Sequence, residues 1–184
     1  MQKLDETFCI VKKRSNIQKN VCLAIFKMLR GGYMRAPFQV SIIAFRKVNE
    51  GYEFLVLERA DMSIWQWISG GGEDEESPLM AAIRETQEEI GIITKKFIKL
   101  DTVASIPSIY FREQEKWGSD VIVIPEHSFG VDITDEKVNL SDEHTQYRWK
   151  KYIEAKTLLK YDSNKTALYE LNKRLEKDML IYLI

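Results

Sequence analysis

GGGEDEESPLMAAIRETQEEIGI, residues Gly70–Ile92, is the stretch from which the rest of the chain is read. Gly70, Gly71 and Gly72 have access to backbone angles closed to other residues, so a sharp loop and a close approach to a ligand are expected there. Ser77 before Pro78 is a helix start: the hydroxyl caps free backbone N–H groups, and proline sits where no N–H is needed. The predicted helix runs from Pro78 to Ile90 and stops at Gly91. Leu79, Ala82, Ile83, Thr86 and Ile90 recur at spacings of three and four and form its buried stripe. Glu85 and Glu89 are stacked four apart, and Glu88 flanks them.

Three carboxylates on one patch of helix repel one another. A solvated acidic face is the plainest reading of such a run. The alternative is a cation site, and hard carboxylate oxygens select Mg²⁺ or Mn²⁺, which keep waters and share their shell with substrate phosphates. The glycines, the cap, Glu76 and Arg84 stand at fixed offsets from the carboxylates, and this constellation resembles the Nudix box, Gly-x5-Glu-x7-Arg-Glu-U-x-Glu-Glu-x-Gly-U with U bulky and apolar. Every fixed position matches, and Thr86 stands at the first U site with its methyl available for packing. The resemblance implies an α/β (α+β) Nudix fold, a mixed β-sheet sandwiched between helices. It also implies Mg²⁺-dependent cleavage of a nucleoside diphosphate linked to another group.

Outside the box, Arg35-Ala-Pro37, Leu57-Glu-Arg59, Trp65-Gln66, Glu143-His144-x-x-Tyr147-Arg148-Trp149 and Ser163-Asn164-Lys165 resemble the dATP pyrophosphohydrolase and dihydroneopterin triphosphate pyrophosphatase branch. By that resemblance Glu85, Glu88, Glu89 and Glu143 are metal ligands, and Arg84 orients Glu85 from beside it. Arg35 and Arg59 would face substrate phosphates, to which a planar guanidinium fork is suited. Gly70 and Gly71 would let the backbone approach the same phosphates, and Glu76 would brace the loop against the helix. Glu85 and Glu143 both remain open as the general base. Trp65 and Trp67 could stack a base, but alternate residues of a short strand point inward, which makes them core. His127 and His144 lack a Ser or Cys partner at a telling position; His144 is expected to hold the Glu143 loop.

Composition bounds the remainder. The 184 residues suit one folded domain, and 27 basic against 28 acidic residues leave a net charge of −1. No basic field points to a nucleic-acid polymer. Cys9 and Cys22 make neither a zinc pattern nor a disulfide framework, so a reducing cytoplasm is the default. Residues 1–33 form a basic extension, with Lys3, Lys12, Lys13, Arg14, Lys19, Lys27 and Arg30 against Asp5 and Glu6. Its apolar run from Val21 to Phe26 is far short of the roughly 20 residues a membrane span needs. The pattern shift after it makes Met34 a candidate start and 34–184 the Nudix hydrolase domain.

Within that domain, strands are expected from Gln39 to Phe45 and from Tyr52 to Leu57, joined at Asn49-Glu50-Gly51, with a short one from Trp65 to Ile68. Further strands are expected at Lys96–Ile106, Asp120–Ile124 and His144–Tyr152, and helices at Ile153–Lys160 and Asn164–Lys177. The expected substrate is a small nucleotide or pterin triphosphate, cleaved to monophosphate and pyrophosphate. Alternatives are an oxidised-nucleotide sanitiser, an ADP-ribose or dinucleoside polyphosphate hydrolase, towards which Pro107 and Tyr110 point, and a nucleotide sensor that binds without cutting. Homodimerisation is left open.

Overall fold

The structure is a computed structural model that describes residues 34–183. Readings made for the basic extension and its cysteines fall outside the described residues. Arg35–Ile184 is a unit by itself in its contacts. Its strands are β1 (Arg35–Val48), β2 (Gly51–Arg59), β3 (Trp65–Gln66), β4 (Ile68–Glu73), β5 (Phe97–Pro107), β6 (Val123–Asp132) and β7 (His144–Lys150). Its helices are α1 (Pro78–Ile90), α2 (Gln114–Trp117), α3 (Tyr152–Leu158) and α4 (Asp162–Glu176). No helix among the described residues is long and apolar enough to cross a membrane.

The seven strands make one mixed sheet in the order β3-β2-β1-β6-β5, with β4 added to β1 and β7 to β2. β1 is long enough to serve two partners on one edge. Its first half pairs antiparallel with β4, from Gln39↔Gly71 to Ile42↔Ile68, and its second half with β2, from Phe45↔Phe54 to Val48↔Gly51. Its other edge takes β6 in parallel.

Alternation along the strands sorts apolar residues into two cores, one on each face. Val40, Ile42, Ala44, Leu55, Leu57, Ile68, Phe129 and Val131 pack with Ala81, Ala82 and Ile90 of α1. Ile43, Phe45, Phe54, Val56, Trp67, Ile98 and Leu100 pack with Ala155 of α3 and with Leu168, Leu171 and Leu175 of α4. The sheet is therefore sandwiched between helices, and each buried Leu, Ile or Phe contributes about 1.5–3 kcal/mol. Trp67 is fully buried and donates its indole N–H to the Asn164 carbonyl at 3.2 Å, so it is core rather than a base platform. Trp65 packs at the edge of the same core beneath the Arg148 guanidinium.

Two expectations are corrected. Gly70–Gly72 lie inside β4 and none has positive φ, so they are strand rather than a sharp loop. Glycine is needed there for want of a Cβ: an added one would overlap the Glu85 carboxylate at Gly70, the Arg35 guanidinium at Gly71 and the Phe38 ring at Gly72. The strand after the long loop begins at Val123 and runs to Asp132, beyond the expected end at Ile124. Pro125 lies before the β1–β6 register starts at Gln39↔Glu126, where its missing N–H breaks no bond to β1.

Candidate active site

α1 forms as its sequence dictates. Ser77 Oγ accepts the Met80 N–H at 3.3 Å, Pro78 occupies the first turn, and Gly91 ends the helix with φ of 71°, donating to Gln87 O. Thr86 is fully buried and returns its hydroxyl to Ala82 O at 2.7 Å, which satisfies the one polar atom in the stripe. Rigid placement of α1 on the sheet fixes Glu85 under Gly70 of β4.

Arg84 is the centre of the charge cluster. Its guanidinium donates to Glu76 Oε1 at 3.0 Å, Glu85 Oε1 at 2.7 Å, Glu88 Oε2 at 3.0 Å and the Gly71 carbonyl at 2.7 Å. Glu76 in turn accepts the Glu73 N–H at 3.0 Å, so one carboxylate ties the loop to the helix. Surrounded by carboxylates, Arg84 is held above the ordinary guanidinium range despite its burial. Burial raises the Glu85 carboxyl from 4.5 to about 7; Arg84 opposes the rise, and the like charges of Glu89 and Glu88 add to it.

Glu89 is 2% exposed, and both of its oxygens are engaged. Oε1 accepts the Ser69 N–H at 3.0 Å, and Oε2 meets His144 Nε2 at 2.6 Å. Burial still raises its carboxyl above the usual range, with His144 and Ser69 opposing. The loop before β7 is tied to the same helix end: Asn139 N–H donates to Ile90 O and Ser141 N–H to Glu89 O, both at 2.9 Å. Ala60 N–H donates to Glu143 O at 2.9 Å, which pins the backbone of Glu143 to the end of β2.

The structure thus brings Arg84, Glu85 and Glu88 into one cluster and holds Glu89 beside it against His144. Glu143 is exposed at the end of the pinned loop. Among the described residues no three His, Cys, Asp or Glu side chains converge as a closed ligand set, because Arg84 turns Glu85 and Glu88 while His144 and Ser69 turn Glu89. The donors nevertheless fit a hard divalent cation. They are carboxylate oxygens, and Glu85 carries a carboxyl whose ionisation burial and like charges disfavour and a cation would restore.

Of the two expected phosphate-facing arginines, Arg59 forks onto Asp61 at 2.7 and 2.6 Å, within the field of Glu143 and Glu89. Arg35 lies against Gly71, hydrogen-bonds Gln39 and stacks 4.9 Å from the Phe111 ring centroid. Trp117 Nε1–H donates to the Arg35 carbonyl at 2.6 Å. Among the described residues Arg35 forms no ion pair, and its Nε is buried without a partner. The roles of Gln39, Phe111, Trp117 and Ser69 were not read from the sequence. Trp117 is 82 positions from Arg35, and no spacing rule connects them.

Comparison with known proteins identifies the family. The family model of the NUDIX domain matches residues 37–171. An asymmetrical bis(5'-nucleosyl)-tetraphosphatase of Rattus norvegicus is 32% identical over 127 residues, 66% of this chain and 80% of that protein. A dihydroneopterin triphosphate diphosphatase of Escherichia coli is 26% identical over 133 residues, 70% of this chain and 89% of that one. Among solved structures, a protein assigned as a Nudix hydrolase from Listeria monocytogenes superposes with a TM-score of 0.73 at 42% identity, covering 80% of this chain and all of its own. With the family's domain matched from β1 into α4 and the arginine–carboxylate cluster assembled on α1, this chain belongs to the Nudix family and is a Nudix hydrolase.

Proposed function

We propose that the enzyme cleaves a nucleoside triphosphate such as dATP, or dihydroneopterin triphosphate, to the monophosphate and pyrophosphate, in the cytoplasm. The observation that supports this is geometric: Glu85 lies beside Glu88 and Glu89 on α1, bonded to Arg84 at 2.7 Å and set against Gly70 of β4. Glu85, Glu88, Glu89 and Glu143 are the residues that would hold Mg²⁺ or Mn²⁺. When bound, such an ion supplies charge neutralisation at the phosphates and a water of lowered pKa.

Arg84 keeps Glu85 in one rotamer by the 2.7 Å bond between them and holds the β4 backbone through Gly71. Glu85 or Glu143 accepts the proton of the attacking water, and water displaces pyrophosphate in line at the α-phosphorus. Arg35 is the phosphate-facing cation, since among the described residues it forms no ion pair. Arg59 serves from the other side on release from Asp61. Gly70 and Gly71 serve the phosphates indirectly, by leaving room for the Glu85 carboxylate and the Arg35 guanidinium against β4.

A second reading, hydrolysis of a dinucleoside polyphosphate, is favoured by the 32% identity to the rat tetraphosphatase. The experiment is a release assay for phosphate, pyrophosphate and nucleotide with Mg²⁺ or Mn²⁺. It covers dATP, other nucleoside triphosphates, dihydroneopterin triphosphate, 8-oxo-dGTP, ADP-ribose and diadenosine tetraphosphate, beside a Glu85→Gln control. Pyrophosphate from a triphosphate, abolished in the control, is expected. ATP released from diadenosine tetraphosphate alone would replace the first reading with the second, and nucleotide binding without any release would leave a sensor.

A further inference from the structure

β6 carries a carboxylate that this chemistry does not use. Glu126 stands in register with Gln39 of β1 on one side and with Ala104 of β5 on the other. Residues in register share a face, and alternation identifies it. Phe129 and Val131 pack in the core under α1, whereas the space at Gly130 abuts Leu171 of α4. Glu126 and Ser128 therefore lie on the α4 side. Gly71, paired with Gln39, belongs to the same row, and the Arg35 guanidinium lies where a Gly71 side chain would project.

Gly71, Gln39, Glu126 and Ala104 thus form a polar shelf across four strands. Buried Ser41 and Ser128 divide it from the apolar core that α4 covers. At the near end of α4, Ser163 offers Glu126 a hydrogen bond. Burial holds the Glu126 carboxyl above the usual range, and among the described residues no cation is paired with it. At the shelf's other end Arg35 forms no ion pair among the described residues and lies in the fields of Glu113 and, across β4, of Glu85. A cation and a carboxylate that form no ion pair among the described residues, on one row that leads to the catalytic cluster, call for a ligand with phosphates at one end and N–H donors at the other.

An ionised carboxylate only accepts, and it is best satisfied by two adjacent N–H groups. Guanine and pterin share a 2-amino-4-oxo ring, in which a ring N–H and an exocyclic NH₂ stand side by side. Adenine instead sets its NH₂ beside a bare ring nitrogen, which would face the second oxygen lone pair to lone pair. We propose that Glu126 is the specificity-determining residue and reads the 2-amino-4-oxo edge of a guanine or pterin polyphosphate laid across this shelf, with the phosphates passing Arg35 towards Glu85. This narrows the substrate class proposed above to its guanine and pterin members, sets dATP aside, and rests on the phosphates lying at β4.

The test uses the full chain and two readouts: calorimetric binding of GMP against AMP without metal, and kcat/KM for dGTP, dihydroneopterin triphosphate and dATP with Mg²⁺. The wild type is expected to favour the 2-amino-4-oxo compounds by about 10- to 100-fold, the span of a charge-assisted hydrogen bond. Glu126→Gln presents one acceptor and one donor, which suits the adenine edge, so the preference should move towards adenine in both readouts. Glu126→Asp should weaken the preference without reversing it. Since burial disfavours the charged carboxylate, Glu126→Gln should melt no lower than wild type. A wild-type preference for adenine, or a ratio unchanged by both variants, overturns the proposal. A preference that responds to Glu126→Gln in binding, with no hydrolysis of any compound, sinks the hydrolytic reading and leaves the shelf standing. Hydrolysis that ignores position 126 does the reverse.

Discussion

Gly70 and Glu85 share one volume: a Cβ on the glycine would occupy the space of the glutamate carboxylate. The first glycine of the box is thus required by its contact with Glu85, since its own backbone angles are ordinary. Gly70→Ala should push Glu85 off its Arg84 bond and lower kcat by about 100-fold, the effect of roughly an ångström of displacement. Overpacking should cost about 1–3 kcal/mol of stability. Steady-state kinetics beside a urea melt separate the two, and an unchanged kcat refutes the packing argument.

Arg84→Ala removes the cation that Glu76, Glu85 and Glu88 share among the described residues. Breaking a buried pair costs about 3–5 kcal/mol, and the partial exposure of Glu88 trims this to about 2–4 kcal/mol. Arg84→Lys keeps the charge but cannot span four acceptors, so its loss should fall between. Chemical denaturation in EDTA reads both. Equal stability of all three proteins would show that the cluster is not held by its charge.

His144→Ala leaves Glu89 Oε2 buried without its partner, which should cost about 1–3 kcal/mol and lower activity together. His144→Gln can return a donor to the same oxygen and should recover part of the loss. If Gln does no better than Ala in both melting temperature and kcat, the hydrogen bond is not what His144 contributes.

The Glu85 shift gives a signed pH dependence. Its carboxyl is lifted from 4.5 to about 7 in the folded state, so between those values the folded protein binds more protons than the unfolded one. Metal-free stability should therefore fall as pH rises from about 4.5 to 7, by up to about 3 kcal/mol at 1.36 kcal/mol per unit. The slope should flatten in saturating Mg²⁺ and shrink in Glu85→Gln, where the raised carboxyls of Glu89 and Glu126 leave a remainder of the same sign. Melts across that window in EDTA decide it; a stability that rises with pH and is indifferent to Glu85→Gln contradicts the assignment.

What was legible in the sequence was local. The bounds of α1 follow from Ser77, Pro78 and Gly91, each acting within a turn of itself, and the Arg84–Glu88 bond follows from helical spacing. The glycine triplet misled because its usual meaning is backbone freedom, whereas here the need comes from Glu85, Arg35 and Phe38 on three other segments. β6 ran past its expected end because Pro125 has no N–H to give a ladder, and only with β1 and β5 on either side does the chain beyond it show as strand. Glu89 and His144 are 55 positions apart, so only the assembled sheet and helix could show that they meet.

β4 pairs only with β1 among the described residues, and its outward side would offer bare backbone groups to any passing strand. Two residues of α1 guard that side: Glu89 takes the Ser69 N–H and Arg84 takes the Gly71 carbonyl. The side chains placed at the reaction centre are thus also gatekeepers against edge-to-edge aggregation. Substitutions of Arg84 or Glu89 made to silence the enzyme should also unblock a template for intermolecular strand addition, with a loss of soluble yield as its expected sign.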